Sequence, residues 1–132
     1  MNLTKTVSIL TLAYWGILFT LTHIPPAQAP EMGNADKLLH LTAFTLLAFL
    51  VSSSLLFIKR WNRISILSGM VVLAIYAGFD ELTQLLVGRT ASWKDWQADL
   101  IGILAGTVAC AILIYLFRRH PLIQPLLQPK TK

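Results

Sequence analysis

Acidic side chains are scarce in this chain: six in 132 residues, namely Glu31, Asp36, Asp80, Glu81, Asp95 and Asp99. Charged residues of both signs make up 13% against 55% hydrophobic ones, a balance too apolar for an ordinary soluble fold. The single cysteine, Cys110, excludes an intramolecular disulfide and a CxxC metal motif, and its place deep in an apolar run makes it a packing residue. No HExxH, GxSxG or P-loop motif occurs, and no internal repeat is visible. The net charge of +5 is spread among apolar runs with no nucleic-acid-binding module to present it. Anionic membrane lipid is therefore the expected partner, and nucleic acid is not.

What the chain does have is long apolar segments. A hydrocarbon core about 30 Å thick needs about 20 residues of helix, and four spans are expected near residues 7–24, 38–58, 64–87 and 96–117. The fold class is all-α: a polytopic membrane protein with four transmembrane helices in a compact bundle over residues 1–120. A basic, Pro-containing cytoplasmic tail, 121–132, is expected to be extended. Lys5, the run 7–21 and Ala27-Gln28-Ala29 loosely imitate a signal peptide, but the run is long for one and is read as a retained span.

Lys5, Lys59, Arg60, Arg63, Arg118, Arg119, Lys130 and Lys132 flank one side of such a bundle, and only Lys37, Arg89 and Lys94 flank the other. The positive-inside rule then places both termini in the cytoplasm. Trp93 and Trp96 fall where an outer aromatic belt is expected. The loop 25–35 must be irregular, and Asn34 can cap the second helix.

Polar residues gather on the outer side in three groups. Asp36 and His40, four apart, share a helix face and can orient one another, although a dipole-favoured Asp beside an interfacial His reads as well. Tyr76, Asp80 and Gln84 form an i, i+4 stripe with Glu81 beside it, some 6 Å inside the far boundary of a roughly 30 Å core. Carboxylates at that depth should face protein or water rather than lipid, unless they snorkel to the interface. Arg89, the cation best placed to neutralise Asp80, Glu81 or Asp99, precedes Ser92-x-x-Asp95, which fits a capping box. Asp95, Asp99, Gly102 and Gly106 then follow one helical stripe whose small residues suit a close helix seam. His23 joins this layer as an interfacial anchor.

The order and spacing of Asp36-Lys37-Leu38-Leu39-His40, Asp80-Glu81-Leu82-x-Gln84, Gly88-Arg89 and Ser92-x-x-Asp95 with Gly102 and Gly106 resemble the VanZ-like family of small bacterial membrane proteins. That family is named for an accessory glycopeptide (teicoplanin) resistance protein. Phe44, Asp99 and Thr22-His23 depart from its pattern, which leads one to expect Tyr, Asn and a small hydroxyl pair. Asp99 adds a negative charge that either favours the protonated form of a neighbouring carboxyl by like-charge repulsion or favours a bound cation. The resemblance implies a four-helix domain in the bacterial cytoplasmic (inner) membrane and a cell-envelope role.

The leading expectation is a pocket of Asp36, Lys37, His40, Asp80, Glu81, Gln84, Arg89, Asp95 and Asp99 that binds an envelope lipid headgroup or lipid-linked precursor, with the basic residues on the anionic headgroup. An enzyme on lipid or lipid-phosphate substrates is the alternative, with His40 as base oriented by Asp36, and Asp80, Glu81, Asp99 and His40 as candidate ligands of a divalent cation. An ion or proton carrier using Asp80 and Glu81 is a third. Monomer and small homo-oligomer both remain open.

Overall fold

The computed structural model describes residues 3–25 and 34–128. The irregular loop expected after the first span, with its Ala27-Gln28-Ala29, lies outside the described residues, as does the side chain of Asn34. Four helices are long and apolar enough to cross a membrane: α1 (Leu3–Thr22), α2 (Asn34–Phe57), α3 (Arg63–Gln84) and α4 (Trp93–Phe117). They begin up to four residues before the expected spans because an apolar run marks only the hydrocarbon portion, while polar turns carry the helix on into the interface. Asn62 caps α3, its side chain accepting from the Ser65 amide at 3.0 Å.

The tail corrects its expectation: residues 124–127 form a short helix, α5 (Gln124–Leu127), rather than extended chain. Pro125 sits in its first turn, where a missing N–H costs no hydrogen bond. Leu126 from this helix packs against Leu56, Cys110 and Ile114 at the end of the bundle away from His40.

Helix α2 is the hub, touching the other three spans, while α1 and α4 do not meet among the described residues. Its residues His40, Phe44, Ala48, Ser52 and Leu56 recur every four positions and are all buried. Against this stripe lies α4, and the seam is as close as its glycines suggest. A Cβ on Gly102 would lie 2.5 Å from the Leu41 carbonyl oxygen, and one on Gly106 would fall onto the Thr45 carbonyl. Helix backbones can approach so closely only where side chains are missing.

Tyr14 ties α1 to α2 by donating to the Ala43 carbonyl at 3.0 Å, and Thr11 does so through the Ser54 hydroxyl at 2.8 Å. Trp96, expected in an aromatic belt, instead packs against α3, its Nε1 donating to the Ala74 carbonyl at 3.4 Å. Leu12, Ile75, Leu86 and Leu116 point away from the bundle, the outward apolar surface that lipid solvates.

Candidate functional site

The end of α1, the start of α2, the end of α3 and the start of α4 meet at one end of the bundle. There the polar residues divide into two clusters with different chemistry. Asp80 is wholly buried, yet both its oxygens are used. Oδ1 accepts from the Thr22 hydroxyl at 3.0 Å and from the Tyr76 phenol at 3.3 Å, and Oδ2 accepts from Gln84 Nε2 at 3.1 Å. His23 braces the same knot: Nδ1 donates to the Phe19 carbonyl at 2.8 Å, and Nε2 lies 2.9 Å from the Thr83 hydroxyl. Its ring stacks on Phe19 with centroids 4.0 Å apart. This cluster joins the end of α1 to the end of α3.

The second cluster surrounds His40. Its Nδ1 donates to Asp99 Oδ1 at 3.0 Å and lies 3.7 Å from Glu81 Oε1. The expected Asp36–His40 orienting pair is therefore corrected: Asp99, brought in by the glycine seam, aligns the ring. Glu81 Oε2 accepts from the Ser92 backbone N–H at 2.8 Å. That bond also corrects the capping box, because Ser92 receives the Asp95 amide at 3.2 Å but its own N–H goes to Glu81 rather than to Asp95. Three oxygens, Glu81 Oε1, Asp95 Oδ1 and Asp99 Oδ2, are buried with no hydrogen-bond partner. Native structures rarely leave such groups unpaired.

Two overlapping sets bring ligand atoms within 4.8 Å of one another: His40 with Glu81 and Asp99, all buried, and His40 with Asp36 and Asp95 nearer the rim. Asp80, expected among the metal candidates, belongs to neither set; its oxygens accept from Thr22, Tyr76 and Gln84 instead.

Arg89 likewise departs from expectation. It reaches none of Asp80, Glu81 and Asp99 and pairs loosely with Asp36, Nη2 standing 3.5 Å from each carboxylate oxygen. Its position is set by the turn that ends α3. Gly88 takes φ 79°, in the left-handed region, and the Arg89 N–H closes back onto the Gln84 carbonyl at 3.1 Å. Lys37 and Lys94 form no ion pair among the described residues.

Beside this rim a cavity of about 550 Å³ opens between α1 and α2. Tyr14, Leu18, Leu21, Leu39, Phe44 and Leu46 supply an apolar wall, and Asp36, His40 and Arg89 supply its polar part. Sequence reasoning did not single out Thr22 or Thr83 as partners of this layer. Their contacts cross between helices 58 and 60 residues apart, where no intrahelical spacing points.

The described geometry thus has four packed membrane-crossing helices, a glycine seam and a polar layer built by Asp36, His40, Glu81, Arg89, Ser92 and Asp99. No curated protein and no solved structure matches the chain. A family model described as VanZ/LLP1 matches residues 1–117, nearly the whole helical bundle, and the chain belongs to that family.

Proposed function

We propose that this membrane protein binds the headgroup of an envelope lipid or lipid-linked precursor at the outer face of the bacterial inner membrane, with both termini in the cytoplasm. Through that binding it would contribute to glycopeptide (teicoplanin) resistance. The observation that carries the reading is the cavity between α1 and α2, whose apolar wall runs to Arg89, Asp36 and His40. An amphipathic ligand fits such a space: chains lie along the leucines, and the headgroup meets a guanidinium that the loose Asp36 pair leaves available to a planar anion. The orientation is supported by the skew of Lys and Arg toward the opposite side.

The test is lipid analysis of the protein extracted with its native membrane annulus. One amphipathic anion should co-purify in stoichiometric amount, and Arg89→Ala should deplete it by about tenfold, the equivalent of one charge-assisted contact of roughly 1.4 kcal/mol. A bulk-like lipid profile in both proteins would reject the reading.

A second reading, an enzyme acting on lipid or lipid-phosphate substrates, is favoured by one observation: His40, held by Asp99, lines the same cavity. The carrier reading gains no support, because no acidic, basic or imidazole side chain lies in α2 after His40, in α3 between Arg63 and Asp80, or in α4 after Asp99.

A further inference from the structure

We propose that His40, Glu81 and Asp99 form a binding site for one divalent first-row transition-metal ion, such as Zn²⁺ or Mn²⁺. Two observations carry this independently of any lipid in the cavity. The first is convergence: three buried residues from three different helices place ligand atoms within 4.8 Å of one another. The second is the pair of unpartnered oxygens among them, Glu81 Oε1 and Asp99 Oδ2, on side chains that are 93% and fully buried.

Charge points the same way. Among the described residues no Lys or Arg pairs with Glu81 or Asp99, since Arg89 is turned to Asp36. Two carboxylates inside a membrane span are costly without compensation. A proton on His40 offsets one charge, but it leaves both orphan oxygens without a donor. A divalent ion matches the two charges and gives Glu81 Oε1 a partner, and it reaches Asp99 Oδ2 as well when that carboxylate binds through both oxygens.

The distances suit this exchange. With metal–ligand bonds of about 2.0–2.2 Å, ligand atoms stand roughly 3.0–3.5 Å apart. The observed separations from His40 Nδ1 are 3.0 Å to Asp99 and 3.7 Å to Glu81, so the ion takes the place of the Nδ1 proton with little movement. One imidazole with two carboxylates selects borderline ions over Mg²⁺ and Ca²⁺, which prefer oxygen alone. The Ser92 N–H on Glu81 Oε2 would orient that carboxylate, as outer-shell partners of metal ligands do.

The experiment uses the full chain, free of affinity tag, stripped with EDTA in detergent and titrated with Zn²⁺, Mn²⁺, Mg²⁺ and Ca²⁺. Calorimetry and elemental analysis should give one Zn²⁺ per chain, with Mg²⁺ and Ca²⁺ bound at least about a hundredfold more weakly. Glu81→Gln and Asp99→Asn should each weaken Zn²⁺ by about a hundredfold or more, because loss of an outer-shell partner alone already costs 10- to 100-fold. Should either variant fail to fold, Co²⁺ bound to the wild type supplies the answer: visible absorption bands of a low-coordinate nitrogen and oxygen site support the proposal, and their absence overturns it. No bound Zn²⁺ in the wild type, equal affinity for Ca²⁺, or unchanged Zn²⁺ binding in the folded variants would also overturn it.

Discussion

Asp80 and Glu81 are neighbours in the chain, both buried in the last turn of α3, and they do opposite things. Asp80 has donors on both oxygens, from Thr22, Tyr76 and Gln84, so its charge is spent on holding α1 to α3. Glu81 gives one oxygen to the start of α4 and leaves the other bare toward His40. A rotation of about 100° between successive helical residues separates a strut from a candidate ligand. Burial and charge alone do not identify a functional acid. The count of donors around each oxygen separates the two acids, because a carboxylate with donors on both oxygens has less to offer an incoming group.

The largest effect that tests this contrast is at Asp80. Asp80→Ala strands one buried donor, Gln84, and two part-buried ones, Thr22 and Tyr76, and should destabilise the protein by about 3–5 kcal/mol, read as a lowered thermal midpoint in detergent. A mild loss would mean that the knot is not structural. Gly106→Ala sets a methyl against the Thr45 carbonyl and should cost about 1–3 kcal/mol by overpacking. It should do so selectively, pushing Asp99 from His40 while sparing the contact of α1 with α3. Histidine NMR resolves the two cases: the His40 signals should move and those of His23 should stay. Glu81→Gln removes an incompletely paired charge and should change stability by less than about 1 kcal/mol in metal-free protein. A loss as large as that of Asp80→Ala would erase the distinction. Arg89→Ala breaks a rim pair whose partners are 20% and 31% exposed, so chemical denaturation should register only about 0–1 kcal/mol. Binding of the proposed lipid should respond far more.

Much of this could be read in the sequence, and the limit was physical. The four spans follow from the length of the apolar runs, and the polar layer follows from acids falling near their ends. The contacts of Asp80 with Tyr76 and Gln84 lie at four-residue spacing, which helix geometry brings together whatever the tertiary fold. The glycines of α4 announced a seam but not its partner, which proved to be the backbone of α2 around Leu41 and Thr45. Pairings across helices were not legible. Asp36 looked like the partner of His40 because they share a helix, yet Asp99, 59 residues away, is closer. Glu81 took over half of the Ser92 cap because it lies beside that turn in space, and Asp95 was thereby left with an unpaired oxygen.

The most direct test of the division between strut and ligand is the thermal midpoint of wild type, Asp80→Asn and Glu81→Gln, each measured metal-free and with saturating Zn²⁺. An ion that binds only the folded state raises the midpoint by mass action. Zn²⁺ at a concentration that just saturates the wild type should raise it there and in the weakened Asp80→Asn protein alike, and move Glu81→Gln only slightly. A full Zn²⁺ response in Glu81→Gln, or its loss in Asp80→Asn alone, would contradict the account.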